Sequence, residues 1–345
     1  MPTVTQKLLL ATVLLLLGSG CSRYAIDMLR ENKLTPRPLE TPLHHPKPGQ
    51  WRDDAITVSW LGHATVLINL FGNWIITDPA LLQRIGPPET FDNAFGIRRI
   101  MALPLALDEL AEIETVLISH AHYDHLDLPS LRRLAPDRPT IIVPRGVAPL
   151  LEGIDAPVVE LDWLPGNRRQ MQFDDGLQIR AFRVENYGFV PGTRRSRPSG
   201  VNGYLIEKRG KRIAFFGDTS FDRNRDENGL PLAMPQTIDW SEKSPLNEQA
   251  IDLCLLPIGD SHFHFNHISP KEAVKIATAT RCRKILPIHY GTFILTPDKY
   301  RLPDPAGELV REMKKSNSAA KSFCLHDPPT NATGSVGKAC RLGKK

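Results

Sequence analysis

Four side chains that can bind metal ions fall within six residues of one another. They are His120, His122, Asp124 and His125, in the string Ser-His-Ala-His-Tyr-Asp-His-Leu-Asp of residues 119–127. Neutral imidazole and carboxylate groups suit zinc, iron or manganese, and no neighbouring cysteine indicates a structural thiolate site. The spacing His-x-His-x-Asp-His therefore predicts a metal centre rather than a polar turn that is rich in histidine.

Further donors follow apolar runs elsewhere in the chain. Asp78 stands in Thr-Asp-Pro, Asp218 in Phe-Phe-Gly-Asp-Thr and His289 in Pro-Ile-His-Tyr-Gly-Thr. If each apolar run is a strand, all these donors can meet at one sheet edge and bind two metal ions roughly 3.5–4 Å apart. Such a pair lowers the pKa of a bridging water from about 15.7 towards 7. This predicts hydrolysis at a phosphoryl or carbonyl centre.

Two successive groups of strands and helices must position these donors. Apolar or alternating runs predict strands over residues 56–61, 64–70, 74–77, 115–118, 140–143, 170–173, 177–184, 203–207, 212–216, 251–258 and 284–287. Helical patterns and an Asp127 cap predict helices over residues 108–113, 128–134, 147–151, 270–279 and 306–315. The repeated order of strands and then a helix indicates two similar layers packed face to face.

Composition sets the limits of the domain organisation. The 345 residues, 41% of them hydrophobic, suffice for a large core, and a formal charge of +5 is too small to argue for nucleic acid. Residues 21–55 are rich in proline and predict a linker or covering arm. We expect one domain over residues 56–297, followed over 298–345 by a helix and a basic, disordered tail.

The N-terminus predicts export. Lys7 precedes a ten-residue apolar run, which is too short to span a bilayer but suits a signal peptide. The following Gly-Ser-Gly-Cys resembles a bacterial lipoprotein cleavage site, although glycine stands where leucine is usual. Residues 1–20 are then a signal peptide, and a lipidated Cys21 anchors a periplasm-facing protein, with the outer membrane as the expected location. An ordinary secretory signal and an uncleaved anchor are the alternatives.

The other cysteines form no motif. Cys254 lies inside an apolar run and is expected in the core. Cys324 and Cys340 could form a disulfide in an oxidising compartment.

Seven short strings follow one another in order along the chain. They are Trp-Leu-Gly-His-Ala-Thr from residue 60, Thr-Asp-Pro from 77, the 119–127 cluster, Gly-Asp-Thr from 217, Pro-Ile-Gly from 257, His-Ile-Ser-Pro-Lys-Glu-Ala from 267 and Pro-Ile-His-Tyr-Gly-Thr-Phe from 287. Together they resemble the metallo-β-lactamase-fold hydrolases, and within them the N-acyl-phosphatidylethanolamine-hydrolysing phospholipase D group, over about residues 56–297. The resemblance implies an α+β fold, a four-layer αββα sandwich.

The resemblance also implies a two-zinc centre, with manganese or iron as alternatives. Its first metal site would use His120 and His122, its second site Asp124, His125 and His289, and Asp218 would bridge the two. Asp78 would orient ligands. Asp124 is expected to orient the attacking hydroxide as well, and His63 and His267 are expected to contact the substrate phosphate or to be hydrogen-bonded structural histidines.

One position departs from the pattern of the family. A further histidine is expected for the first metal site, but Asn186 stands at that place, and no histidine occurs between His125 and His262. An amide oxygen is a poor zinc ligand beside imidazole. Glu185 is an alternative donor, although neighbours on a strand face opposite sides. Our hypothesis is that His262 or His264 enters the site and compensates.

The implied function is hydrolysis of a phosphodiester, with a phospholipid such as N-acyl-phosphatidylethanolamine as the expected substrate and a membrane as a partner. A lactonase or small-ester hydrolase on the same site is one alternative. The other is an envelope metal-binding protein whose catalysis is weakened by Asn186. The sequence leaves the oligomeric state open.

Overall fold

Two seven-stranded mixed sheets form the centre of the computed structural model, which describes residues 39–42, 45–86, 96–184, 186, 199–219, 244–259, 267–295, 302–316, 321–322 and 339–342. In spatial order the first sheet contains β16 (Ala339–Leu342), β1 (Ile56–Gly62), β2 (Thr65–Leu70), β3 (Asn73–Thr77), β6 (Thr115–Leu117), β7 (Thr140–Pro144) and β8 (Val158–Leu161). The second contains β15 (Lys321–Ser322), β14 (Lys284–Ile288), β13 (Leu253–Pro257), β12 (Lys211–Phe215), β11 (Asn202–Lys208), β10 (Gln178–Arg183) and β9 (Gln170–Gln172). The short strands β4 (Arg84–Ile85) and β5 (Ile97–Arg98) pair separately.

Alternation of side chains along the strands separates two apolar cores. Val66 and Ile68 of β2 belong to the core between the sheets, whereas Leu67 belongs to a core on the outer face of the first sheet. Successive side chains of a strand point to opposite faces, so a run that is apolar at every position must be covered on both sides. Helix α1 (Leu128–Leu134) covers that outer face, and its N-terminus is capped by the carboxylate of Asp127.

Helices also cover the second sheet. Helix α2 (Pro270–Ala279) packs on β13 and contacts helix α3 (Pro305–Lys315). Helix α2 begins with a capping box, in which Ser269 and Glu272 each accept a hydrogen bond from the other's backbone N–H group. The layers therefore run helix, sheet, sheet, helix, and the predicted α+β fold, an αββα sandwich, is confirmed.

A buried lysine joins the sheets at the start of β3. The ammonium group of Lys208 on β11 donates hydrogen bonds to Oδ1 of Asn73 at 2.5 Å and to Oδ2 of Asp175 at 2.7 Å. A buried ammonium group is stable only with such partners.

Three sequence expectations are corrected. Residues 108–113 are not a helix: only a 3-10 turn, Leu107–Glu109, forms there, because a short helix needs a buried apolar face and Ile113 alone of these residues is fully buried. Strand β8 was not predicted. The tail is not disordered throughout, since β15 pairs with β14 and β16 pairs with β1.

The cysteine expectation is also corrected. Cys254 is buried as expected, but it forms a disulfide with Cys282, and these residues are 28 positions apart. Neither half has a neighbouring cysteine that would have signalled the bond. Cys324 and the side chain of Cys340 lie outside the described part of the chain, so their pairing stays a prediction.

The proline-rich segment packs on the domain where it is described. Glu40 forms a bridge with Met101, and the ring of Trp51 stacks on Trp74 with the centroids 5.3 Å apart. The predicted signal peptide, Cys21 and the boundary at residue 297 lie outside the described residues. Among the residues described, no helix has the length and apolar character needed to cross a membrane.

Candidate metal centre

The candidate ligands meet at one edge of the sandwich, in the loops that follow strands of both sheets. His63 lies between β1 and β2, Asp78 follows β3, Asp218 follows β12 and His289 follows β14. His63, Asp78 and His289 all have positive φ angles, of 51°, 33° and 62°. Left-handed backbone is uncommon outside glycine, and its concentration here is typical of a functional site.

Hydrogen bonds hold the loops of the two sheets together at this edge. The backbone carbonyl of His63 accepts hydrogen bonds from the backbone N–H of His289 at 2.8 Å and from the indole of Trp60 at 2.7 Å. The backbone N–H of His63 donates to the hydroxyl of Thr292 at 2.7 Å. The position of His63 is therefore fixed relative to His289 on the opposite sheet.

Asp218 is the carboxylate around which the site is arranged. Its Oδ1 atom is 3.0 Å from Nε2 of His289. Its Oδ2 atom is 2.9 Å from Nε2 of His267, 3.3 Å from Nε2 of His125 and 3.9 Å from Nε2 of His120. Asn186 donates its amide N–H to the same Oδ2 atom at 3.2 Å. The two oxygens of one buried carboxylate thus face different groups of donors.

Asp124 is the second carboxylate of the site. Its Oδ2 atom is 2.8 Å from Nε2 of His63 and 3.4 Å from Nε2 of both His125 and His289. These three histidines are buried. Asp124 therefore lies beside His125 and His289, the two histidines with which the sequence predicts that it shares the second metal site.

The carboxylate of Asp78 holds the nitrogen of His125 that points away from the site. Its Oδ2 atom is 2.6 Å from Nδ1 of His125, and its two oxygens accept hydrogen bonds from the backbone N–H and the hydroxyl of Ser119 at 2.7 and 2.6 Å. Nε2 of His125 is then directed at Asp124 and Asp218. A carboxylate on the far nitrogen of a metal-binding histidine fixes its orientation and tautomer.

His120 and His122 approach the site together. Nε2 of His120 is 2.9 Å from Nδ1 of His122, and Nδ1 of His120 is 2.9 Å from the hydroxyl of Ser119. The backbone at Gly217 lies so close to Ser119 that a side chain would not fit, because a Cβ atom there would lie 2.4 Å from Cβ of Ser119. Glycine is thus required for Asp218 to come this close to the histidine cluster.

The donor set fits divalent metal ions. Within the described residues, Nε2 of His125, Nε2 of His289 and Oδ1 of Asp218 are buried, and despite the 3.0 Å between the last two atoms none of them takes part in a hydrogen bond of acceptable geometry. Three groups of ligand atoms have all members within 4.8 Å of one another, namely His63, Asp124, His125 and His289; His120, His125 and Asp218; and Asp218, His267 and His289. Buried donors without partners are costly, and a bound cation would satisfy them.

Buried charges divide the histidines into two classes. Burial acts to lower the pKa of His125 and His289, but Asp218 and Asp124 outweigh it, raising the pKa of His125 well above its usual value and that of His289 to about 10. Burial lowers the pKa of His63 to about 3. Burial favours protonation of Asp218 and Asp124, yet neighbouring histidines hold the pKa of both carboxyls well below the usual range. The carboxylates are ionised at neutral pH.

The structure thus brings nearly all the predicted residues together. His63 contacts the carboxylate of Asp124, and His267 contacts that of Asp218. The sequence indicates only a contact with the substrate phosphate or a structural role for these two histidines. Glu185, His262 and His264 lie outside the described residues, so their suggested compensation for Asn186 stays a hypothesis. Sequence reasoning missed Ser119 and Thr292, although both stand inside the strings that carry the resemblance.

A family comparison agrees with this geometry. Residues 73–290 match the family described as the beta-lactamase superfamily domain. The chain belongs to this superfamily. The His/Asp cluster described above is the candidate metal centre of this superfamily domain.

Individual relatives in the superfamily are distant. An uncharacterised protein of Mycobacterium tuberculosis is 29% identical over 274 residues, which are 76% of this chain and 66% of that protein. An N-acyl-phosphatidylethanolamine-hydrolysing phospholipase D of Caenorhabditis elegans is 28% identical over 274 residues, 76% of this chain and 70% of that enzyme. The solved structure of Igni18, a metallo hydrolase from Ignicoccus hospitalis, has a TM-score of 0.54, with 16% identity over 84% of this chain and 100% of that one. The chain therefore spans about two thirds of the length of the mycobacterial relative.

Proposed function

We propose that this protein hydrolyses a phosphodiester bond with metal-activated water, and that its substrate is a phospholipid such as N-acyl-phosphatidylethanolamine. The observation that carries the proposal is the position of Asp218, whose two buried oxygens face different groups of imidazoles. A carboxylate placed in this way suits a bridge between two divalent ions, and paired ions are the usual catalysts of phosphodiester hydrolysis. The name of the worm relative supports the substrate class.

The residues of the chain can perform the proton transfer in this reaction. Bound divalent ions would supply Lewis acidity and lower the pKa of water. Asp124 is ionised, and the Nε2–H group of His63 holds its carboxylate at 2.8 Å, so that Asp124 can accept a proton from the attacking water. The oxygen of the water bonds to phosphorus, the bond from phosphorus to the leaving alcohol oxygen breaks, and the proton passes from Asp124 to that alcohol.

The proposal includes export and anchoring to the membrane of the cell envelope through Cys21. A lipid anchor would hold the enzyme at the surface that contains its substrate. The apolar run and the Gly-Ser-Gly-Cys string support this part of the proposal.

The test is turnover by the full-length protein loaded in turn with zinc, manganese or iron. Substrates are bis(p-nitrophenyl) phosphate, vesicles containing N-acyl-phosphatidylethanolamine and a simple lactone. We expect diester and lipid turnover, and we expect His120→Ala to lower kcat/KM by about 100-fold or more because it removes a ligand. His45→Ala is the matched control, since His45 contacts the carbonyl of Pro104 outside the site.

Two outcomes would contradict the proposal. Turnover of the lactone without turnover of either phosphodiester would identify a lactonase on the same site. Metal binding with no turnover of any substrate would instead identify a metal-binding protein, and the histidine that Asn186 replaces would account for the loss.

A further inference from the structure

The first metal site lacks the imidazole expected at position 186, and the structure brings another imidazole to the same place. Oδ1 of Asp218 faces His289 of the second metal site, whereas Oδ2 faces His267 at 2.9 Å. Asn186 contacts this same Oδ2 atom. Nε2 of His120, an expected ligand of the first metal site, is 3.9 Å from Oδ2 of Asp218. His267 therefore contacts the oxygen of Asp218 that also faces Asn186 and His120, while its ring packs on that of His289 with the centroids 4.3 Å apart.

The contacts of His125 do not change this assignment of the two oxygens of Asp218. Its Nε2 atom is 3.3 Å from Oδ2 of Asp218 and 3.4 Å from Oδ2 of Asp124, so it approaches both carboxylates about equally. Its other nitrogen is held by Asp78. His267 has a single carboxylate contact among the described residues, and that contact is Oδ2 of Asp218.

The backbone on both sides fixes the position of His267. Two residues after it, Ser269 begins the capping box of helix α2 with Glu272. Gly259 packs against it on the other side with φ of +62°, and a Cβ atom there would lie 3.3 Å from the carbonyl oxygen of Ile268 and 3.6 Å from Cβ of His267. A side chain held between a capped helix and a close backbone contact is suited to a fixed ligand.

Asn186 is oriented for a different task. Its amide nitrogen donates a hydrogen bond to Oδ2 of Asp218, and this NH2 group is a donor only, because its lone pair is delocalised into the carbonyl group. The contact stabilises the negative charge of the carboxylate and restricts its rotamer. Asn186 thus positions the bridging residue and leaves the ligand position to another side chain.

We propose that His267 is the third imidazole of the first metal site, with His120 and His122, and that Asn186 positions Asp218. His267 is then a metal ligand in this chain and not a contact for the substrate phosphate. The inference rests on the two-metal centre of the proposed function, but it does not depend on which bond the enzyme cleaves.

The test is a metal count on full-length protein, made by equilibrium dialysis against zinc followed by elemental mass spectrometry. We expect about two ions per chain for the wild type and for the His45→Ala control, and about one for His267→Ala. Introducing Asn186→His into the His267→Ala variant should restore the count to about two, because it returns an imidazole to the same oxygen of Asp218. Loading with cobalt gives a second readout, since the visible absorption of a cobalt ion in the first site should be lost in His267→Ala and should return when Asn186→His is added.

Several results would overturn the proposal. For His267→Ala, these are retention of two ions with unchanged affinity or loss of both ions. Fewer than two ions in the wild type would also contradict it, as would loss of an ion from His262→Ala or His264→Ala instead. His267→Gln repeats the test with a side chain of similar size if the alanine variant fails to fold. The metal count remains decisive even if no phosphodiester is cleaved, so failure of the proposed function is distinguished from failure of this inference.

Discussion

Asp78 never faces the centre of the site, yet it controls one of the ligands. Its carboxylate is saturated by Ser119 and by Nδ1 of His125. We expect Asp78→Asn to weaken metal binding by about 10- to 100-fold, because the amide cannot hold His125 in the same tautomer with the same strength. Competition with a chelator of known affinity measures the change.

Asp155→Asn is the control for this prediction, since Asp155 forms an exposed ion pair with Arg138. Equal metal affinity for the Asp78 and Asp155 variants would show that the contact of Asp78 with His125 does not contribute to metal binding.

Protons and metal ions compete for the same imidazoles. The pKa of His289 is raised to about 10 and that of His125 is raised well above its usual value, so without a metal ion both carry a proton at neutral pH. A metal ion binds only the neutral ring, so binding must release these protons. The raised pKa values therefore predict that metal affinity increases as the pH rises towards about 10, by about tenfold per unit for each proton released.

Zinc titrations between about pH 6 and about pH 8 would test this pH dependence. Proton release can be measured in parallel in two buffers of different ionisation enthalpy. Affinity that is constant over this range, or that falls as the pH rises, would mean that His125 and His289 are neutral before the metal ion arrives.

At the scale of elements, one buried arginine holds three segments next to the site. The guanidinium of Arg99 donates hydrogen bonds to the backbone carbonyls of Leu61 at the end of β1, Ala80 after β3 and Met101, at 3.0 Å or less. Burial lowers its pKa to about 10, so it is still charged at neutral pH. The loops that contain His63 and Asp78 are therefore tied to one cation.

We expect Arg99→Met to lower the free energy of unfolding by at least about 3 kcal/mol, because it leaves buried carbonyl groups without donors. The variant should also bind zinc more weakly than the wild type. Denaturant unfolding and metal titration test both parts. Arg98→Met is the matched control because Arg98 is the exposed neighbour of Arg99, and equal losses in both variants would contradict this role for Arg99.

At the scale of the whole molecule, a disulfide joins the second sheet to the segment after α2. Cys254 on β13 and Cys282 are both buried, and the loop that they close separates them by 28 positions. A loop of this size predicts a stabilisation of about 2–4 kcal/mol. Disulfides persist in oxidising compartments, which is consistent with the export that we propose.

A variant with both cysteines replaced by alanine should be less stable than the oxidised wild type by that amount, whether or not a reductant is present. The wild type should lose a similar amount only when it is reduced. Unfolding in denaturant with and without dithiothreitol gives the comparison. A wild-type protein of unchanged stability after full reduction would mean that the bond adds nothing.

The sequence by itself determined the sandwich and most of its chemistry. The short apolar and β-branched run of residues 64–70 is a local property that specifies a strand buried on both faces. Donors that directly follow such strands must lie at the ends of the sheets, and the cluster from His120 to His125 needs no distant partner to be recognised. The absence of an imidazole at position 186 is likewise visible in the sequence.

Tertiary structure alone decided which distant groups meet. The sequence does not specify that His267 and Asn186 share one oxygen of Asp218, that Arg99 binds three backbone carbonyls, or that Cys254 pairs with Cys282. Such contacts depend on the relative placement of sheets and loops, which is set by packing across the whole core and not by neighbours in the chain. The missing ligand is thus apparent from the sequence, whereas its proposed replacement could be found only from the positions of atoms in space.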